Sequence, residues 1–264
     1  MNMKIKAALI DLSGTLHIGN TIIPHSISAL NELQNSGCYV KFVTNTTKES
    51  INALHSRLKK MGFGIEKEQM FTTLTAANNL IKEKKLKPLM LVAEEALEDF
   101  SCDSAENVEE YNSVVVGLAP KELYYEKLNT AFRVLMNGGQ LIALNAGKYY
   151  AREDGLAIGA GFFVKGLEYS AQTKALLVGK PNAAFFTSAL YGQNISCEET
   201  VMIGDDVTDD IEGALKLGMK AILVKTGKYR AGDESKILPL KPTAVVESFA
   251  EAVNYLKTSC DLSK

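Results

Sequence analysis

An α/β fold built on a doubly wound parallel sheet is the fold class this 264-residue sequence predicts. Two observations carry it. Short apolar runs alternate with segments of helical periodicity along the chain, the pattern of a parallel sheet with helices on both faces. Polar residues able to do chemistry stand at the ends of three of those runs, and open parallel sheets bind their ligands at the carboxyl ends of strands.

Residues 5–10, Ile-Lys-Ala-Ala-Leu-Ile, form a mostly apolar run that reads as a buried strand. Ile27, Leu30 and Leu33 recur at three-residue spacing, one face of a helix that stops near Gly37. Residues 39–43, rich in aromatic and β-branched side chains, read as a strand. Thr46 and Glu49 then stand at capping-box spacing, where hydroxyl and carboxylate satisfy free N–H groups, so a helix is expected to start there. Ile51, Leu54, Leu58 and Met61 continue it and Gly62 ends it. A second helix is expected over about residues 73–84.

The pattern then restarts. Residues 88–92, 113–116 and 140–144 read as strands, with a helix over 121–136 carrying Leu128, Phe132 and Leu135. Residues 145–161, rich in Gly, Tyr and charge, read as an irregular loop. Residues 181–191 read as a helix with Pro181 in its first turn. Strands at 201–203 and 221–224 flank a helix that ends near Gly218.

Composition sets the outer limits. A chain of 264 residues allows one or two domains, and 46% hydrophobic with 23% charged residues is ordinary for a globular protein. No apolar run approaches the roughly 18–20 residues that span a bilayer. The first apolar stretch ends at Asp11 without a small-residue cleavage site, so a secretory leader is not expected and the protein reads as cytoplasmic. With 29 basic and 31 acidic residues the net charge is −2, which gives no electrostatic reason to bind nucleic acid or an anionic membrane. Cys38, Cys102, Cys197 and Cys260 form no C-x-x-C pair and read as reduced thiols. His17, His25 and His55 lack metal-ligand spacing and are expected in surface or loop roles.

The strand ends hold the chemistry. Asp11 follows the first strand, Thr44 and Asn45 the second, and Asp205 follows the 201–203 strand after one glycine. Each alone is ordinary turn or capping chemistry, but together they place polar groups from three strands at one sheet edge. Asp11-Leu-Ser-Gly-Thr15 sets an ionisable carboxylate before a turn whose N–H groups can converge on an anion. A carboxylate repels a phosphate dianion, so chemistry between them needs compensating positive charge. Gly204-Asp-Asp-Val-Thr-Asp-Asp210 packs four carboxylates into six positions, hard oxygen ligands of the kind that suit Mg²⁺. The same stretch also reads as capping for the helix that follows. Lys180, before a helix start, supplies a cation, although an isolated lysine is by default a surface residue. No G-x-x-x-x-G-K-[ST] loop is present, and Gly159-Ala-Gly161 lacks the third glycine of a dinucleotide fingerprint.

In this order, Asp11-Leu-Ser-Gly-Thr15, Val43-Thr-Asn45, Gly179-Lys-Pro181 and Gly204-Asp205…Asp210 resemble the four motifs of the haloacid dehalogenase superfamily. The stretches Phe42-Val-Thr-Asn-Thr-Thr-Lys-Glu-Ser50 and Val224-Lys-Thr-Gly-Lys-Tyr-Arg230 narrow the resemblance within it. The resemblance implies a Rossmann-like core from residues 1–85 and 177–264, with residues 86–176 inserted as an α/β cap of the C2 type. It implies that Asp11 is the nucleophile of an aspartyl-phosphate mechanism. It implies Mg²⁺ held by Asp11, the Ser13 carbonyl and Asp205, with Asp210 in the outer shell or orienting ligands. The phosphate-binding set would be Asp11, Leu12, Ser13, Thr44 (hydroxyl), Asn45 (backbone N–H) and Lys180, with Lys180 also catalytic. A cap loop at about residues 145–160 would select a small phosphorylated substrate, and the family's habits allow a homodimer through the cap.

One departure stands out. Most phosphatases of this superfamily carry an acid–base Asp two residues after the nucleophile, where this chain has Ser13. General acid–base catalysis contributes about 10²–10⁴-fold. Without it, poor leaving groups such as alkoxides suffer most, while aryl phosphates, acyl phosphates, pyrophosphate and P–N bonds suffer least. The preferred reading is therefore an Mg²⁺-dependent phosphatase whose catalytic group at position 13 shifts substrate choice towards pyrophosphate or P–N compounds. The alternative is a catalytically weak fold that binds phosphate ligands or a protein partner. A dehalogenase fits poorly, because that chemistry needs no metal and Asp205 and Asp210 would have no task.

Overall fold

The computed structural model describes residues 3–102, 107–152 and 155–262. Two compact units divide the chain: one of Met1–Thr44, Leu54–Phe71 and Lys180–Lys264, the other of Asn45–Ala53 and Thr72–Gly179. The strands of the two main sheets are β1 (Ala7–Ile10), β2 (Tyr39–Thr44), β3 (Met70–Thr72), β4 (Pro88–Leu91), β5 (Ser113–Val116), β6 (Gln140–Ala143), β7 (Leu176–Leu177), β8 (Thr200–Gly204), β9 (Lys220–Val224) and β10 (Ala244–Val246). The helices used below are α1 (Ser26–Asn35), α2 (Ile51–Lys60), α3 (Thr73–Glu83), α4 (Tyr125–Met136), α5 (Ala160–Ser170), α6 (Ala183–Ala189), α7 (Gly213–Lys216) and α8 (Phe249–Ser259).

The first unit is organised by a six-stranded sheet in the order β10-β9-β8-β1-β2-β3, parallel from β10 through β2. Its central strands are buried on both faces, which is why their middles are apolar: Ala7, Ala8, Leu9 and Ile10 are fully buried, as are Val201, Met202 and Ile203. The chain winds outward from β1 in one direction and from β8 in the other. Right-handed crossovers therefore place α1 and α7 on opposite faces. On one face α1 buries Ala29, Leu30 and Leu33 and packs against α8, which buries Phe249, Ala252, Val253 and Leu256. The strand order reverses between β1 and β8, and that is where such sheets open a ligand crevice. Ile10 lies opposite Ile203, so Asp11 leaves the sheet beside Gly204 and Asp205.

The second unit holds a four-stranded parallel sheet in the order β7-β6-β5-β4. Alternation divides its side chains between two faces. Val114, Val116, Leu141 and Ala143 pack with Ala131, Val134 and Leu135 of α4 and with Val164 and Leu167 of α5. Val115 and Ile142 pack with Leu74, Ala77 and Ile81 of α3. The expected α/β class with parallel sheets is the one observed.

Several local expectations change. The helix expected to start at Thr46 starts at Ile51. Its first N–H groups are met by other acceptors: Ser50 Oγ takes the Ala53 N–H at 3.2 Å, and the Asp99 carboxylate takes the Ile51 N–H at 2.9 and 3.0 Å. A carboxylate 48 residues away thus replaces the local box. The loop expected over 145–161 contains an antiparallel pair, Tyr149–Arg152 with Gly155–Ile158, and α5 begins at Ala160. Glu153 and Asp154 of that stretch lie outside the described residues. Glycine and charge density masked the strand preference of the tyrosines there. Asn182, not a first-turn proline, caps α6, accepting the Ala184 N–H at 2.8 Å. The 121–136 helix begins at Tyr125. His17 is buried in a short strand with Nδ1 2.8 Å from the Gly19 carbonyl, not on the surface. All four cysteines are free thiols.

Candidate active site

At the crevice between β1 and β8, four charged side chains that exposure rules would place outside are buried: Asp11, Lys180, Asp205 and Asp210. Lys180 Nζ lies 2.6 Å from Asp11 Oδ1, 2.6 Å from Asp210 Oδ1 and 3.0 Å from the Val43 carbonyl at the end of β2. One ammonium thus joins three strand ends: β1 through Asp11, β2 through Val43, and the segment after β8 through Asp210. The Thr15 hydroxyl donates to Asp11 Oδ2 at 3.3 Å, and the Asp11 N–H donates to the Ile203 carbonyl at 2.9 Å.

The Asp-rich segment does both things its sequence suggested. Asp206 is the cap: its Oδ1 accepts the N–H groups of Thr208 and Asp209, each at 3.0 Å. The turn it starts, Val207–Glu212, has the wide π-helical spacing and runs into α7. That turn brings Asp210 back to Lys180, with Asp210 Oδ2 accepting the Asp206 N–H at 3.2 Å. Asp210 thus pairs with Lys180 through Oδ1 and accepts a backbone N–H on Oδ2.

Asp205 sits in a cradle that only glycine allows. Gly14, at φ 101°, and Gly227, at φ 55°, face its carboxylate, and a Cβ on either would stand 2.1 Å from Asp205 Oδ2. The Lys228 N–H donates to that same oxygen at 2.6 Å. A carboxylate with one oxygen held this way keeps lone pairs on the other for a cation.

Charge within the cluster is unbalanced. Burial and the Asp11 charge push the Asp205 carboxyl up to about 7. Burial lifts Asp210 well above the usual carboxylate range, Lys180 pulls it down, and the charges of Asp11, Asp205 and Asp206 add to the rise. For Lys180 burial opposes the charge, but Asp11 and Asp210 hold the ammonium above the ordinary lysine value. Three buried carboxylates around one buried ammonium are short of positive charge. Asp11, Asp205 and Asp210 each bring an oxygen within 4.8 Å of the others. Mg²⁺–oxygen distances of about 2.1 Å set neighbouring ligands about 3 Å apart and opposite ones about 4 Å. The all-oxygen donor set, its spacing and its excess negative charge fit a hard divalent cation.

Of the residues the sequence singled out, Asp11, Lys180, Asp205 and Asp210 come together, and Thr44 ends β2 as a buried residue one position beyond the Val43 carbonyl that holds Lys180. Leu12 contributes backbone only: its side chain is in the core and its carbonyl accepts N–H groups of Thr15, Leu16 and His17. Ser13 is exposed. Asn45, next in the chain after Thr44, belongs to the second unit, where the Thr73 hydroxyl donates to its Oδ1 at 3.0 Å. Thr226, Gly227 and Lys228 had no role assigned from the sequence, although Val224–Arg230 was noticed; a strand end carrying Thr-Gly was the available signal.

Similarity to other proteins agrees with this geometry. A family model described as "Haloacid dehalogenase-like hydrolase" matches residues 8–104, and one described as HAD-hydrolase-like matches residues 177–252. The chain is 51% identical over 252 residues to haloacid dehalogenase-like hydrolase domain-containing protein 2 of Bos taurus, covering 96% of each chain. It is 38% identical over 267 residues to phospholysine phosphohistidine inorganic pyrophosphate phosphatase of Xenopus laevis, covering 98% of this chain and 97% of that one. Its fold is similar to that of p-nitrophenyl phosphatase from Archaeoglobus fulgidus, with a TM-score of 0.88 at 24% identity, covering 96% of this chain and 100% of the other. A buried Asp-Lys-Asp-Asp cluster at the switch point of a parallel sheet, with matches of this extent, places the chain in the haloacid dehalogenase-like hydrolase family.

Proposed function

We propose that the protein is an Mg²⁺-dependent phosphatase that hydrolyses small phosphorylated molecules through a phosphorylated Asp11. The observation that supports this most is the buried cluster itself: Asp11 beside Asp205 and Asp210, with Lys180 2.6 Å from its carboxylate. Asp11, Asp205 and the Ser13 carbonyl would hold the metal, which when bound supplies positive charge against the phosphoryl oxygens. An Asp11 oxygen attacks phosphorus. The bond from phosphorus to the leaving group breaks, and the leaving group departs with the electron pair. Lys180 stays protonated through the step and offsets the charge of Asp11 and the phosphoryl group. Thr44 and the Asn45 N–H bind phosphoryl oxygens, with backbone N–H groups of the Leu12–Ser13 turn. Water then attacks phosphorus, and the Asp11–phosphorus bond breaks to release phosphate.

Ser13 is a poor proton donor at neutral pH, so substrates whose leaving groups need little protonation are favoured. Pyrophosphate and P–N compounds meet that condition, and the name of the Xenopus relative points the same way. Residues 86–176 act in this reading as a C2-type cap that selects the substrate, with a homodimer through the cap and a cytoplasmic location as further expectations. Among the described residues no helix is long and apolar enough to cross a membrane.

The test is phosphate release from p-nitrophenyl phosphate with and without Mg²⁺, for the wild-type protein and for Asp11→Asn. Metal-dependent turnover that Asp11→Asn abolishes is the expected result. Ser13 also favours a second reading, a weak enzyme that binds phosphate ligands. Absence of turnover on aryl phosphate, pyrophosphate and phosphoramidate with metal present would leave that reading standing and remove the first.

A further inference from the structure

The turn after β9 touches both chain segments that carry the carboxylates. The Thr226 hydroxyl donates to the Gly14 carbonyl, one residue beyond Ser13. The Lys228 N–H donates to Asp205 Oδ2 at 2.6 Å, and its ammonium donates to Asp206 Oδ2 at 2.9 Å. Between them, a Cβ on Gly227 would stand 2.1 Å from Asp205 Oδ2 and 2.5 Å from Gly14 Cα.

We propose that Thr226-Gly227-Lys228 is a positioning clamp for the cation site, fixing the Asp11–Thr15 turn and the Asp205 carboxylate in mutual register. The inference rests on the proposed Mg²⁺ site. The physical reason is preorganisation. Asp11 and Asp205 come from separate strands and repel one another, so without a tie they relax apart and must be drawn together when the ion arrives. Groups that hold ligands in place in this way typically change metal affinity by about 10–100-fold when lost. Thr226 is only half-buried, so removing its hydroxyl leaves the core intact.

The experiment is Mg²⁺ titration by calorimetry on the full-length protein without substrate. Thr226→Val keeps the shape and removes the donor; it is expected to weaken Mg²⁺ binding by about tenfold or more, while Thr226→Ser binds within about twofold of wild type. In turnover of p-nitrophenyl phosphate, Thr226→Val should raise the Mg²⁺ concentration for half-maximal rate and regain most of kcat at saturating metal. Gly227→Ala should weaken binding at least as much, because its Cβ displaces Asp205. Thr226→Ala serves in place of Thr226→Val should the latter melt below wild type in EDTA. Wild-type affinity in Thr226→Val or Thr226→Ala overturns the clamp alone. Failure of the wild-type protein itself to bind Mg²⁺ removes both the clamp and the metal site it serves.

Discussion

Replacing Lys180 with methionine gives the sharpest quantitative test of the buried cluster. The ammonium is 2% exposed and makes two carboxylate contacts of 2.6 Å. At an effective dielectric of about 20, one such contact is worth about 6 kcal/mol of Coulomb energy before the cost of removing both charges from water. Desolvation consumes much of that, and breaking a buried pair from one side costs about 3–5 kcal/mol because the partner charge is left stranded. Here more than one carboxylate is stranded, so the upper end is expected. For a chain of this size about 1 kcal/mol moves the melting temperature by about 2–4 °C, so Lys180→Met should melt about 10–20 °C below wild type in EDTA. Mg²⁺ should recover part of that loss, since it returns positive charge to the same carboxylates. Turnover of aryl phosphate at saturating Mg²⁺ should fall about 10²–10³-fold, the usual effect of deleting one group that stabilises transition-state charge. Thermal melts followed by circular dichroism, with and without metal, and phosphate release read out the two effects. A variant melting within about 2 °C of wild type in EDTA would refute the view that Lys180 neutralises the cluster. Unchanged turnover would refute its part in the chemistry.

Other outcomes follow from the same geometry. Asp11→Asn should reduce phosphate release by at least about 10³-fold while leaving the fold intact, as read by circular dichroism, because the amide cannot attack phosphorus. Ser13→Asp should raise turnover of an alkyl phosphate relative to pyrophosphate, by up to about 10²-fold; an unchanged ratio would show that position 13 does not set leaving-group preference. Mg²⁺ at ten times its dissociation constant should stabilise the protein by about 1.4 kcal/mol, or about 3–6 °C in a thermal melt. Asp205→Asn should lose that shift, and a shift that survives would place the ion elsewhere.

How much of this was legible in the sequence depends on how locally each feature is determined. β1, β8 and β9 were legible because their apolar, buried middles stop abruptly at Asp11, Asp205 and Lys225, and β2 because its aromatic and β-branched residues run up to the polar Thr44 and Asn45. The candidate nucleophile Asp11 was legible for the same reason: a carboxylate stands out against four fully buried residues. Lys180 was not legible alone, because its burial depends on Asp11, 169 positions away, and no local pattern records that. The start of α2 failed on the same ground, since Asp99 supplies an acceptor that the Thr46–Glu49 spacing could not anticipate. In the Asp-rich segment capping and clustering are both present because adjacent residues divide the work, Asp206 on the turn's N–H groups and Asp205 and Asp210 in the cluster. The capping supplied by Asp206 is what winds the turn that returns Asp210 to Lys180. A change that removes the cap should therefore disturb the cluster without touching any of its members. Local structure and site chemistry are coupled there through the backbone, and that coupling explains why a short stretch of sequence carries so many carboxylates with different tasks.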